Sequence, residues 1–212
     1  MESRRGPIKI ALIAGLVFGV LFIAVTILIV TGRIAPFDDA VIAAVQGMEN
    51  DRLTSVMKFF TFLGSSFMAV ILSVAAFLFL MIVLKHRREL LMFVVAVGGS
   101  ELWNVLLKNL VQRARPNMHR LIEISGYSFP SGHSMGAFSL YGAFAFLLWR
   151  HIHAFAGKIA MIVVGVALTL MIGVSRIYLG VHYPSDVLGG YLASASWLMF
   201  SIALFEKHWR RA

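Results

Sequence analysis

Ser175-Arg176-Ile177-Tyr178-Leu179-Gly180-Val181-His182-Tyr183-Pro184-Ser185-Asp186 is the stretch on which the reading of this chain turns. Apolar runs flank it, at about 159–175 and 187–205, and each is long enough for a helix through a bilayer. Between them stand an arginine, a histidine and an aspartate, with Pro184 suited to the first turn of the second helix. Ionisable side chains beside hydrocarbon segments are costly and are retained for function.

Working outward, four more runs of the same kind occur at about 10–30, 66–84, 90–107 and 133–149. The expected fold is therefore all-α, a polytopic membrane protein with six transmembrane helices in a single domain over residues 1–212. Composition agrees: 59% of the 212 residues are hydrophobic and 14% charged, against about 25% charged in soluble domains. The run from Ile10 to Val30 follows a basic start but is too long for a signal-peptide core, so it is expected to be a retained first helix. In the longest connection, 33–65, Ala40, Val41, Ala44, Val45 and Met48 recur at helical spacing with Asp38, Asp39 and Glu49 around them. That pattern predicts an amphipathic helix at the membrane interface, between the first and second spans. Val56–Leu63 reads as an extension of the second span, and Lys85-His86-Arg87-Arg88-Glu89 as a tight turn after it.

The net charge of +9 suits helix-end cations and anionic headgroups, and no nucleic-acid partner is expected. There is no cysteine, which excludes disulfides, thiolate metal sites and thiol nucleophiles. Eleven of the lysines and arginines fall on the side of the termini and eight on the other, three of those eight within the polar clusters. The bias predicts cytoplasmic termini. Under that orientation every polar cluster meets on the outer side.

Three clusters carry the chemistry. Lys108 is followed by Arg115-Pro116; a point charge and a planar fork suit the nonbridging oxygens of a phosphoryl group, although cations at helix ends also simply snorkel. Pro130-Ser131-Gly132-His133 enters the fourth span. There Gly132 allows close backbone approach, N–H groups point toward anions, and Ser131 can serve the ligand or cap the helix. In the third cluster Asp186 follows His182 by four residues, which places carboxylate and imidazole on one face. A carboxylate on Nδ1–H leaves Nε2 as the nucleophile. Two histidines in one site need opposite starting protonation states. Glu101 and Asn104 share a face of the third span N-terminal to Lys108 and are expected in structural or substrate-pocket roles. Gly98-Gly99 and Gly189-Gly190 are expected to permit close helix packing. No carboxylate cluster accompanies the cations, so neither a metal nor another cofactor is expected.

Together the clusters resemble the type 2 phosphatidic acid phosphatase family of integral-membrane lipid phosphatases. The family's three-part signature is matched at Lys108 to Pro116, Pro130 to His133 and Ser175 to Asp186. The compact size also resembles the bacterial phosphatidylglycerophosphatase B group. The resemblance implies that His182 attacks phosphorus and becomes a phosphohistidine, that Asp186 orients it, and that His133 protonates the leaving oxygen and then activates water. It further implies that Lys108, Arg115, Arg176, Ser131 and Gly132 hold the phosphate. The expected activity is hydrolysis of phosphatidylglycerophosphate in a bacterial plasma membrane, with the bilayer and a lipid phosphate as partners and no protein partner. Undecaprenyl diphosphate, phosphatidic acid and isoprenyl diphosphates are the alternative substrates. A transporter for a phosphorylated solute would also use intramembrane charge, but it has no need of a His182–Asp186 pair opposite His133.

Overall fold

A computed structural model describes residues 5–84, 87–117 and 119–208. The described residues are helical, without strands: α1 (Arg5–Val30), α2 (Ala35–Gln46), α3 (Asp51–Leu63), α4 (Ser66–Phe79), α5 (Arg87–Val111), α6 (Gly132–Leu148), α7 (Phe155–Tyr178) and α8 (Pro184–His208). A π-helical turn, Leu80–Leu84, continues α4. The helices begin where side chains can cap them. Asn50 accepts the amide of Leu53 at the start of α3, and Ser65 that of Met68 at the start of α4.

Four helices are long and apolar enough to cross a membrane, α1, α5, α7 and α8, or five if the bent pair α3–α4 is one span. The sequence led us to expect six. The difference lies in two elements. Helix α6 has only 17 residues, about 26 Å of rise, at the lower limit of bilayer-spanning length. Val56–Leu63 belongs to α3, a separate helix set at 54° to α4, because Gly64 and Ser65 end one helix and cap the next. Two short helices therefore lie between the first and second predicted spans, rather than one. The predicted turn at Lys85-His86 lies outside the described residues, as do Arg4, Arg210 and Arg211 among the cations that set orientation.

Helix α2 forms where the apolar spacing predicts a helix. Within the protein it buries Asp38 and Ile42, with Val41 and Val45 half-buried and Ala40 and Ala44 exposed. Asp38 is held inward by polar partners described below.

The most extensive helix pair among the described residues is α1 with α8. The pair is tied by Ser196 Oγ donating to the Gly15 carbonyl at 2.9 Å. Between α5, α6 and α8 the contact is made by small polar residues. Ser100 and Ser139 both meet Ser194 Oγ, at 3.0 and 3.2 Å, and Ser194 donates to the Met135 carbonyl at 3.0 Å. Such residues let backbones approach and satisfy one another where no water is available. Gly99 is required for the same reason: a Cβ there would lie 2.3 Å from the Trp197 ring, whose Nε1 donates to the Val95 carbonyl. Gly98 does not pack; a Cβ would meet nothing within 4 Å, because the residue faces a cavity.

Gly189 carries the fully buried Phe129 ring, which a Cβ would approach to 2.3 Å. Gly189→Ala is expected to destabilise the fold by about 1–3 kcal/mol through overpacking. Thermal unfolding of the detergent-solubilised protein, compared with the parent chain, checks this.

Candidate active site

The histidine of the third cluster sits in a turn whose geometry depends on one glycine. Helix α7 ends at Tyr178, and Gly180 adopts φ of +71° with the His119 carbonyl oxygen only 2.1 Å from where a Cβ would be. Only glycine fits that left-handed, crowded position. The chain then turns through His182 and starts α8 at Pro184, leaving Asp186 in its first turn. Both site residues are buried, His182 at 2% exposure and Asp186 at 0%.

Asp186 is held from several sides. Its carboxylate accepts the Tyr183 amide at 2.8 Å, the Ser128 hydroxyl, and Arg113 Nη1 at 2.7 Å. His182 Nδ1 stands 3.4 Å from Asp186 Oδ2 and 3.4 Å from Ser128 Oγ, a looser arrangement. On the other side of the ring, Arg115 Nη1 lies 3.1 Å from Nε2. Arginine has donors only, so Nε2 must accept and the ring proton resides on Nδ1. This is the tautomer expected from the i, i+4 spacing, and the contact with Arg115 fixes it from the opposite edge.

Arg115 is itself oriented by carbonyls: Nε donates to Gly126 at 2.9 Å, Nη1 to Val181 at 2.8 Å and Nη2 to Tyr127 at 3.1 Å. The segment that carries it leaves α5 through Gln112, which adopts φ of +51°, a common way to end a helix. Arg176, 2% exposed, donates from Nη1 to Thr61 Oγ1. Its Nε and Nη2 are buried without a hydrogen-bond partner, which is costly for a guanidinium.

The remaining predicted residues divide. Lys108, Gly132 and His133 line, with Arg115 and His182, a cavity of about 590 Å³. Glu101 lines it too. Ser131 is fully buried and caps α6, its Oγ accepting the Ser134 amide at 3.4 Å and the Ser134 hydroxyl at 3.0 Å, while its own amide donates to the Asp186 carbonyl at 3.0 Å. Its hydroxyl caps the helix, one of the two roles expected of it. Asn104 also lines the cavity and is held in place: its Nδ2 donates to the Pro130 carbonyl at 3.1 Å, and its Oδ1 lies 3.1 Å from where a Gly132 Cβ would be. It braces the loop that carries Gly132 and His133.

Arg113, Asp38, Ser128 and Thr61 were not singled out from the sequence. Arg113 reads there as an interface cation and Asp38 as the polar edge of an amphipathic helix, while Ser128 and Thr61 belong to no motif read there. The sole signal was a carboxylate in a mostly apolar helix, which carries no indication of its partner. Among the described residues no group of three or more His, Asp or Glu is placed to hold a metal ion.

Comparison with known proteins fits this geometry. The family model of the PAP2 superfamily matches residues 89–210. Phosphatidylglycerophosphatase B of Bacillus subtilis is 33% identical over 174 residues, 80% of this chain and 84% of that one. The putative undecaprenyl-diphosphatase YbjG of Escherichia coli is 30% identical over 141 residues, 62% and 65% of the two chains. Among solved structures, a transmembrane PAP2 type phosphatidylglycerolphosphate phosphatase from Bacillus subtilis superimposes with a TM-score of 0.86. It is 28% identical, with 94% of this chain and 99% of that one covered.

Burial pushes the His182 imidazole down to about 4; Asp186 pulls it upward, and Arg176 and Arg115 oppose that. The ring is therefore neutral at pH 7, with Nε2 unprotonated. In the unfolded chain it would take a proton near the ordinary 6.5. Between those values the unfolded state binds the extra proton, so this group costs stability as pH falls from 6.5 toward 4. A ¹⁵N-histidine NMR titration, assigned by difference with His182→Asn, is expected to show the ring protonating near pH 4. A midpoint near 6.5 would contradict the buried geometry.

Proposed function

This chain belongs to the PAP2 superfamily and is a membrane lipid phosphatase, and from that premise we propose that it hydrolyses phosphatidylglycerophosphate to phosphatidylglycerol and phosphate through a phosphohistidine. The observation that carries the proposal is the cavity. At one end it is lined by His182, His133, Lys108 and Arg115, and away from them by Val70, Val74 and Phe77 of α4 and Val94 and Val97 of α5. A single continuous space thus offers cations to a headgroup and apolar walls to a tail.

In this reading His182 Nε2 attacks phosphorus, an N–P bond forms, and the bond to the lipid oxygen breaks. His133 gives that oxygen its proton, and the lipid alcohol leaves. Water, deprotonated by His133, then attacks the phosphohistidine; the N–P bond breaks and inorganic phosphate is released. Lys108, Arg115 and Arg176 balance the charge on the phosphoryl oxygens. The two unpartnered nitrogens of Arg176 are donors suited to that task. Arg115 must shift its Nη1 from His182 Nε2 toward the anion, so the incoming phosphate itself uncovers the nucleophile. The negative charge of the bound phosphate also favours the protonated form of His133 that the first step needs.

Phosphatidylglycerophosphate is preferred on two grounds. The similarity to the Bacillus subtilis phosphatase spans most of both chains. Glu101 adds a polar step in the cavity wall, about 10 Å along α5 from Lys108, which suits the glycerol and ester region of a phospholipid better than an all-hydrocarbon isoprenyl tail. The similarity to YbjG favours undecaprenyl diphosphate as the second reading.

His182→Ala is expected to lower kcat at least ~10⁴-fold, as loss of a covalent nucleophile does. Rapid-quench experiments on the parent chain should trap acid-labile phosphate on protein. Rates on phosphatidylglycerophosphate, phosphatidic acid and undecaprenyl diphosphate, measured side by side, should be highest for the first. Substantial turnover by the His182→Ala chain would end the phosphohistidine reading, and a preference for the isoprenyl lipid would end the substrate assignment.

We place the protein in a bacterial plasma membrane, six times across, with its termini in the cytoplasm and the site outward, on the positive-inside bias. A cysteine at Asn117 should then react with an impermeant thiol reagent in intact cells, and one at His86 should not. The chain supplies no thiol of its own. Labelling at 86 but not 117 would invert the orientation.

A further inference from the structure

We propose that Arg113 and Asp38 form a positioning pair through which helix α2 holds the His182–Asp186 pair in working geometry. Arg113 spans two carboxylates. Nη1 bonds Asp186 Oδ1 at 2.7 Å and Ser185 Oγ at 2.8 Å, and Nη2 bonds Asp38 Oδ2 at 2.8 Å. Asp38, 1% exposed, also accepts the Ser185 amide at 2.8 Å and hydroxyl at 2.7 Å. The guanidinium lies over the Tyr183 ring, 4.0 Å from its centre. The first turn of α8 is thus gripped at Tyr183, Ser185 and Asp186 by two residues from other parts of the chain.

Neither residue belongs to the three-part signature. Arg113 falls between Lys108 and Arg115, and Asp38 lies outside the matched region 89–210 altogether. Helix α2 is attached near the site a second time through the Gln46 side-chain amide, whose Nε2 donates to the His119 carbonyl at 3.0 Å. Just past the helix, Glu49 pairs with His119 at 2.9 Å.

The physical consequence follows from how Asp186 must act. Its Oδ2 faces His182 and Ser128 while Oδ1 faces Arg113. A planar fork with one prong on Oδ1 fixes the rotation of the carboxylate and so the direction Oδ2 offers to Nδ1. Arg113 also shares the negative charge of Asp186, and Asp38 in turn shares the positive charge of Arg113. The pair therefore sets both the angle and the strength of the field at the imidazole. Lysine at 113 has the charge without the fork and cannot hold both carboxylates with one geometry.

This inference rests on the reading of His182 as nucleophile, and its test is separate. Arg113→Gln, Arg113→Lys and Asp38→Asn would be assayed with a short-chain soluble phosphatidic acid between pH 4 and 8, with thermal unfolding recorded for each. Arg113→Gln is expected to lower kcat about 10–100-fold, the range for groups that orient a reacting ligand, with KM changed less than about 2-fold; Arg113→Lys should fall between it and the parent. The acid limb of the pH profile should move to higher pH in Arg113→Gln, where the imidazolium feels Asp186 undivided. It should move to lower pH in Asp38→Asn, where Arg113 is less balanced. The other charged or titratable groups around the ring, Lys108 from α5, Arg115 and His119 from the loop, His133 from α6 and Arg176 from α7, are the same in every variant.

A purely structural brace would lower the unfolding midpoint and leave kcat of the folded fraction and the acid limb in place; that result overturns the proposal. Should Arg113→Gln not fold, Arg113→Lys and Asp38→Asn decide, with parental kcat in the first or an unmoved limb in the second overturning it. Full activity in His182→Ala would instead remove the reading on which the pair depends.

Discussion

The structure depends on keeping one carboxylate, Asp186, ionised and fully buried at the start of a membrane helix. An unpaired charge in that position is prohibitively expensive, and pairing it demands several donors with good geometry. They come from separate parts of the chain: the Tyr183 amide from its own turn, Ser128 from the loop before α6, and Arg113 from the loop after α5. The Ser131 amide adds a bond to the Asp186 backbone carbonyl. Satisfying Asp186 thus draws the start of α6 and the ends of α5 and α7 to one point.

Much of this was legible in the sequence, for identifiable reasons. The pair His182 and Asp186 could be read because four residues on a helical turn fix their proximity without any tertiary knowledge. The boundaries of α5, α7 and α8 were approximated because long apolar runs report a bilayer directly. What could not be read was the partner of a partner. Arg113 and Asp38 stand 75 residues apart, and nothing local distinguishes Arg113 from a snorkelling cation or Asp38 from the polar edge of an amphipathic helix. The same limit holds for α2: periodicity ranks its apolar residues but gives no sign that Asp38 turns inward to a buried ion pair.

The glycines show a similar division. Gly99 and Gly189 pack against Trp197 and Phe129 as their doublets suggested, and Gly190 lies close to the Ser131 carbonyl. Gly98 instead opens onto the cavity. A doublet on a helix points in two directions 100° apart, so one member can serve packing while the other keeps a channel clear. Sequence identifies the small residue but not the neighbour that makes smallness necessary.

The charges of the site also constrain what can occupy it. Lys108 and Arg115 line the cavity with a single carboxylate, Glu101, Arg176 has two buried donors without a hydrogen-bond partner, and Asp186 is already engaged by Arg113 and Ser128. Like charges gathered in a medium of low dielectric repel strongly, and the fold bears that repulsion together with the cost of desolvating the cations. A neutral lipid in the same cavity would satisfy its apolar walls and leave the repulsion in place. A lipid carrying a phosphate dianion relieves both at once, its charge meeting the cations as its tail covers α4 and α5. Because charge grows on the phosphoryl oxygens as the bond to the lipid breaks, the arrangement that selects such a ligand is also the one that favours its transition state.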